Sequence, residues 1–539
     1  MRLIFTLLSF FVFETVLSLS LRTASATALP AAQLGVPVEV PAWRNALSEA
    51  LVQSGISEII NYNLPLAESK FDSLIALEPD RPEGYFYKSA CYFWRYLLGE
   101  KQKDYDRFTE LSETSVLKSD AFIAAVAENA KAKALGTYFL AEARLEQAFA
   151  QGRAKSYISA GINANRSKGL YADALKLDPD FTDAGKGLGL FEFFGTLVPS
   201  SVKWLAGMFG YGGDREKGLE MIAAARDKSR YSQTESRYYL AMIQFLFYKN
   251  NAAAEKDLLL LSAARPQSTL LNYSIGLFYY QTKQTDKAKL YLTKAAGDAL
   301  RDAGNAFAAY AMFRLADVDF RLCNFSDAKK NFLLYRTAAN FEIYHAQTAY
   351  RLGLCYEFSG DRTTAVLYYQ QAQAKTENLD ELYSQRRAKL LITAPLSQAA
   401  KTIYLGRNHF DAGNYAAALL ALEPLAEKSM TDAAPDALTD DERAELFYRL
   451  ARCYDESLAP EKAVKFYQAA FQTPAKQERM FAPFSRFYLA KLYMQQKKYD
   501  LALSEFDKAS RYVSYDYDKG LQRDLILEQE KLERLRAKP

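Results

Sequence analysis

One pattern recurs along this chain and constrains its fold more than any other. It is clearest at Tyr488-Leu489-Ala490-Lys491-Leu492-Tyr493, followed by Ala502, Phe506 and Ala509. A large apolar residue and a small one are followed by a tyrosine three positions on, then by Ala-x3-large-x2-Ala. The same frame appears at Ile275-Gly276, with Tyr279, Ala288, Leu292 and Ala295. It returns at Leu352-Gly353, with Tyr356, Ala365, Tyr369 and Ala372, and at Leu450-Ala451, with Tyr454, Ala463, Tyr467 and Ala470. Looser copies use Leu315-Ala316 with Ala328 and Phe332, and Leu405-Gly406 with Ala418 and Leu422. Upstream, Leu240-Ala241, Leu188-Gly189 and the set Ala67, Phe71, Pro79 fit parts of it. The physical reading is a helix–turn–helix unit. The small residue lets two helices approach, the tyrosine fills the gap between units, and the alanine sits where the helices cross and no larger side chain fits. Pro79 and Pro179 each close a second helix, because proline cannot continue one.

This frame resembles the tetratricopeptide repeat, whose ideal unit is 34 residues. Here successive small residues are separated by 35, 40, 37, 53, 45 and 39 positions, from Ala241 to Ala490. The expectation is therefore an all-α chain of about eight to ten divergent units. The resemblance implies a right-handed α-solenoid. Residues 40–230 form a divergent N-terminal region, 231–515 the main array, and 516–539 a charged capping helix with Leu521, Leu525, Leu527 and Leu532 on one side. Residues 93–160 exceed a standard connection. They are read as an oversized repeat, in which the alanine-rich stretch from Ala121 to Gln151 is helical in period and Leu135-Gly136 resembles another first helix, closed by a helix from about Ser156 to Leu175.

The first 28 residues read as a secretory signal. Arg2 precedes an apolar run from Leu3 to Leu21, and Ala24-Ser25-Ala26 and Ala26-Thr27-Ala28 offer small-residue cleavage sites. The alternative is an uncleaved membrane anchor, in which Glu14 would cost a spanning helix ~2–3 kcal/mol. The expected setting is export, most readily to the periplasm. In an exported protein the four cysteines, Cys91, Cys323, Cys355 and Cys453, could pair. The register argues otherwise, since Cys91, Cys355 and Cys453 occupy equivalent sites in different repeats, too far apart for a disulfide.

Residues 187–225 are the most distinctive part of the chain. Leu188-Gly189 opens a helix, and an apolar insert with Pro199, Trp204, Leu205, Met208 and Phe209 follows. Asp214 is the expected N-cap of the next helix, with Glu216 in its first turn and Gly218, Ile222 and Ala225 on its packing side. This run resembles the inclusion-body-clearance family, relatives of tetratricopeptide repeat protein 39. The matching residues are Leu197, Pro199, Leu205, Gly210, Gly213, Asp214, Arg215, Gly218 and Leu219. The motif covers about 40 residues, the remainder matching as generic repeats. Signal and size are those of exported bacterial repeat proteins with the same insert. The resemblance implies a scaffold with membrane or lipid connections and no catalytic residue.

Two surfaces are candidates for function. One is the 195–211 insert, where Trp204, Leu205, Met208 and Phe209 either form an exposed patch for a membrane or partner or fold back into the solenoid. The other is the concave face. Tyr273, Phe313, Tyr350, Tyr448 and Phe487 stand there, followed by Tyr280, Phe320, Phe358 and Phe410, with Arg407, Arg452 and Lys491 between them. Such a ladder suits an extended peptide, if the rings are not instead packed between helices. The net charge of +4 has no basic cluster, which argues against nucleic acid. There are only two histidines, and no phosphate-cradling loop, Gly-x-Ser-x-Gly or His-Glu-x-x-His. Asp440-Asp441 read as a solvated linker. The expectation is a non-enzymatic protein- or peptide-binding scaffold without metal or cofactor, with membrane association through the insert as the alternative.

Overall fold

The computed structural model describes residues 45–196, 213–297, 305–338, 344–374, 379–430 and 438–537. The N-terminal apolar segment and the insert residues Trp204, Leu205, Met208 and Phe209 lie outside the described residues. Among the described residues there are 24 helices and every regular element is α-helical.

The repeat frame becomes packing in the expected way. Ala288, Ala328, Ala365, Ala418, Ala463 and Ala502 are all fully buried, as are their partners Leu292, Phe332, Tyr369, Leu422, Tyr467 and Phe506. The small position faces the large one. A Cβ on Gly353 would lie 2.3 Å from the Tyr369 ring, and one on Gly406 would lie 2.4 Å from Leu422. Dense interiors leave no room for both, so the pair is read as small against large wherever two helices cross. Helices pack on their neighbours and next-but-one neighbours along the chain, which is how repeat arrays share a core.

Helix ends follow their local chemistry. The helices Leu64–Leu77 and Tyr157–Leu177 both stop two residues before Pro79 and Pro179. The alanine-rich stretch of the oversized repeat spans the end of one helix and most of another, Gln102–Ala125 and Ala130–Arg153. They are separated by a turn whose Asn129 side chain caps the second. The reading of Asp440-Asp441 as linker is corrected: both lie in the first turn of Asp440–Glu456. Thr439 and Glu442 form a reciprocal capping box there, and acidic residues at a helix start complement its dipole. The last helix, Asp518–Arg536, buries Leu521, Leu525 and Leu532 against the preceding pair, while Leu527 faces outward.

The cysteines are free. Cys91, Cys355 and Cys453 are buried, and burial pushes each thiol up to about 12, so they act as small apolar core residues.

The chain divides into two compact units. The N-terminal unit runs to Phe278 and takes in Lys294–Ala309; the C-terminal unit holds Tyr279–Thr293 and everything from Tyr310 on. Each unit folds back on itself beyond what a simple array requires. In the first, Arg230 donates to Glu49 (Nε to Oε1, 3.1 Å), Gln53 donates to the Arg230 carbonyl, and Ser268 donates to the Ile60 carbonyl. Tyr62 meets Phe307 edge-on at 5.0 Å. In the second, Arg321 donates to the Asp411 carbonyl and Thr285 to that of Ala412.

Candidate functional site

The closure of the N-terminal unit leaves a cavity of about 240 Å³ inside it. Its wall is mainly apolar and aromatic, with Ile56, Ile59, Phe86, Trp94, Leu190 and Phe191 among the lining residues. One side is polar. Lys186, 2% exposed, reaches from the Thr182–Gly195 helix to Glu142 (2.8 Å) and Glu235 (3.0 Å). Tyr171 donates to Glu142 (2.6 Å) and Tyr239 to Glu235 (2.9 Å). Burial alone would lower the Lys186 pKa, but the two carboxylates outweigh it and hold the ammonium charged. Glu146, one turn beyond Glu142, also lines the cavity. Its Oε2 is sealed and has no hydrogen-bond partner. Burial, reinforced by Glu142 and Glu235, holds its carboxyl well above the usual range.

The polar side is built by the local fold. Gly187 sits where a Cβ would strike the Tyr171 ring at 2.2 Å, so the glycine lets Tyr171 come close enough to reach Glu142. Asp183, one turn before Lys186, fixes the next corner. Its carboxylate accepts from the backbone N–H of Arg230, Tyr231 and Ser232 and from the Ser232 hydroxyl. Sequence reasoning missed this site. The available signal was a lysine inside an otherwise apolar stretch, Gly185 to Phe191, and two glutamates four apart, Glu142 and Glu146, in an alanine-rich helix.

The concave-face residues are placed differently from the expected ladder. Tyr273, Tyr280, Phe313, Phe320, Tyr350, Phe410, Tyr448 and Phe487 are all buried. They pack on neighbouring rings, as Phe313 stacks on Tyr344 at 4.3 Å and Tyr448 lies against Phe481 at 5.2 Å. Phe358 is half-buried and stacks on Phe325 at 4.4 Å. The three cations are used within the fold. Arg452 is buried over the Tyr488 ring at 3.5 Å and bonded to Glu456. Arg407 donates to the Tyr383 hydroxyl and Lys491 pairs with Glu528. These rings and cations are packing residues, because each helix is covered by its neighbours on the face where they stand.

The C-terminal unit buries a charge cluster around Asp317. Arg321 (3.2 Å) and Arg351 (3.0 Å) flank its carboxylate, and the Tyr280 hydroxyl donates to it. Burial would raise this carboxyl, but the two guanidiniums hold it far below the usual range. Nearby, the Lys283 ammonium lies 3.2 Å from the Phe410 ring centroid and lacks a hydrogen-bond partner. Burial first, then Arg452, lowers its pKa to about 7, while Asp411, Glu456 and Cys453 oppose them. A lysine released by unfolding titrates near ~10.4. The unfolded chain therefore holds the proton more tightly between these values, and stability rises with pH across that window. Replacing Lys283 with Met is expected to raise the melting temperature at pH 6 and to lose that advantage by pH 10. Thermal melts of both proteins across this range check it; a gain that does not depend on pH contradicts it.

Where the Thr182–Gly195 helix meets Arg215–Lys228, the distinctive motif explains itself. Asp214 caps the second helix by accepting from the N–H groups of Glu216 and Lys217, as expected. Gly189 and Gly218 bring the two backbones together, and a Cβ on Gly213 would strike the Glu192 carbonyl at 2.1 Å. Glycine is required at all three places for close approach.

A search of curated proteins returns no match. Among solved structures, yeast Tom70 is 12% identical, with 84% of this chain and 96% of that chain covered and a TM-score of 0.31. A tetratricopeptide repeat protein from Parabacteroides merdae is 14% identical over 55% of this chain and 99% of that one, with a TM-score of 0.24. The human IFIT1 dimer with PPP-AAAA is 13% identical over 91% and 94%, at 0.27. The family match extends well past the 40-residue motif. Residues 181–395 match the Iml2/Tetratricopeptide repeat protein 39 family model, and the chain is a tetratricopeptide-type protein carrying that family's motif.

Proposed function

We propose that this protein is an exported, non-enzymatic scaffold that holds a protein partner by taking the partner's apolar side chains into the N-terminal cavity. The observation that carries this reading is the cavity, about 240 Å³ with rings for walls and a buried charged side. Such a wall suits apolar anchoring side chains of a partner. Anchors of this kind, seated in desolvated pockets, dominate binding energy in protein interfaces. The periplasm is the proposed setting, supported by the apolar leader and its paired Ala-x-Ala sites.

The test places a photo-crosslinking residue at Leu190, on the cavity wall, and at Leu420, a 78% exposed residue of the C-terminal unit, as control. A defined partner segment should crosslink from 190 alone. A synthetic copy of that segment should bind the purified protein, and Leu190→Trp, which fills the cavity, should weaken it at least tenfold. Equal crosslinking from both positions, or a segment indifferent to Leu190→Trp, would reject the reading. Intact mass of the protein from its native cell tests export: loss of 26 or 28 residues supports it, and retention of Met1 favours the anchored form.

A further inference from the structure

The polar side of the cavity has an imbalance that its own residues do not resolve. Glu142, Glu146 and Glu235 line it with Lys186, and no other charged residue is among the described lining. Lys186 is spent on Glu142 and Glu235, and each of these also accepts from a tyrosine. Glu146 accepts nothing at Oε2. Three carboxyl groups thus face one ammonium, those of Glu142 and Glu146 desolvated and that of Glu235 40% exposed. An unpartnered polar atom in such a place carries the full cost of its desolvation, and proteins keep few of them. An anionic ligand would add to the imbalance, and a neutral one would leave it unchanged. A cation would complete it. The ring walls favour the same choice, since Tyr87, Tyr231 and Trp94 line the cavity and aromatic faces attract ammonium groups.

We infer that the cavity receives an alkylammonium group, a primary amine on an apolar body, with the Glu146 carboxyl group as the side chain that meets it. The choice of cavity rests on the proposed function; the choice of charge does not. The group can come from a lysine of a partner segment or from a free alkylamine, since both present the same chemistry. The volume fits either, as each is an apolar chain of several carbons ending in one small, strongly hydrated charge.

The experiment uses the full chain and calorimetric titration with n-octylamine, n-octanol and sodium octanoate at pH 7.5. Two short leucine-rich peptides, one with a central lysine and one with norleucine in its place, form a second arm. Octylammonium is expected to bind at least tenfold more tightly than octanol, and octanoate not to bind measurably. Glu146→Gln, which keeps the shape of the side chain, should remove the advantage of octylammonium and leave octanol unchanged. The octanol result in that variant, with its melting temperature, shows that the cavity is intact. Preference for the lysine peptide by the same factor places the group on a protein partner, and binding of octylammonium without either peptide places it on a free amine. If both peptides bind equally and Glu146→Gln is silent, the charge inference fails while the scaffold reading stands. If octylammonium alone binds, the scaffold reading fails and the inference stands. Failure of every compound to bind rejects both, and tighter binding of octanoate overturns the inference directly.

Discussion

Gly218→Val is expected to lower the stability of the N-terminal unit by about 3 kcal/mol, the cost of overpacking a close crossing. A Cβ at 218 would stand 2.6 Å from the Gly189 carbonyl oxygen and 2.8 Å from the Phe193 nitrogen. Both are backbone atoms inside a helix, so neither can swing aside. The Thr182–Gly195 and Arg215–Lys228 helices would have to separate, and the apolar contacts among Phe193, Ile222, Leu240 and Ile243 would loosen with them. Two opposing effects decide the sign. Glycine is a poor helix former, so valine recovers only a few tenths of a kcal/mol in propensity, far less than the clash costs. Gly218→Ala recovers about 1 kcal/mol and should therefore be milder, though still destabilising. For a unit of this size the valine variant should melt roughly 6–12 °C lower. Gly169, an exposed helical glycine where an added Cβ would meet nothing within 4 Å, is the control: Gly169→Ala should be neutral or stabilising. Gly189→Ala combined with Gly218→Ala should cost less than the sum of the two, because one separation relieves both clashes. A Gly218→Val protein melting within 2 °C of the parent would refute this account of the motif.

Asp183→Ala should be the most damaging single polar substitution in the same unit. Its side chain is 2% exposed and accepts from three successive backbone N–H groups, at 3.0, 2.9 and 2.8 Å, and from the Ser232 hydroxyl at 2.8 Å. Alanine leaves these donors without an acceptor, and each buried donor so orphaned costs about 1–3 kcal/mol. Allowing for relaxation and partial hydration, a loss of about 4 kcal/mol is expected. Asp183→Asn keeps Oδ1, which serves three of the four donors, and should lose only about 1–2 kcal/mol. The consequence reaches the cavity, because Arg230 also donates to Glu49 and its carbonyl accepts from Gln53. Releasing this corner frees the contact that draws the first helix against the later ones. Amide exchange at residues 230–232 should therefore quicken in Asp183→Ala by a large factor, and ligand affinity of the cavity should fall with it. Unchanged exchange at those amides would show that the corner is held by something else.

The helix pairs were legible in the sequence because their determinants are local. Small-against-large pairs such as Gly353 with Tyr369 sit 16 positions apart, within one helix–turn–helix. Asp214 caps a helix two and three residues away, and Pro79 and Pro179 end helices two residues before them. The cysteines followed from the same register. Asp440-Asp441 were misread because a polar stretch looks alike in a linker and in a helix's first turn. Thr439 and Glu442 distinguish the two only once both are seen to bond each other's backbone.

The aromatic ladder shows where local reasoning ends. Helical spacing put Tyr273, Phe313, Tyr350, Tyr448 and Phe487 at equivalent positions of their helices, but did not say what covers those positions. Neighbouring helices do that covering, while closure of each unit brings distant residues together. Glu49 meets Arg230 across 181 positions and Lys283 meets Phe410 across more than a hundred, and no short-range period records such meetings. By itself, then, the sequence determined that this chain is a divergent array of helix pairs, with glycines at its closest crossings. The tertiary structure alone decided that the expected ladder is core. It also decided that Glu142, Glu146, Lys186 and Glu235, drawn from three helices, line one apolar cavity. The physical reason is that packing within a repeat depends on neighbours a few turns away. An enclosed site depends on how many repeats it takes for the chain to meet itself, a sum of small rotations that no single repeat contains.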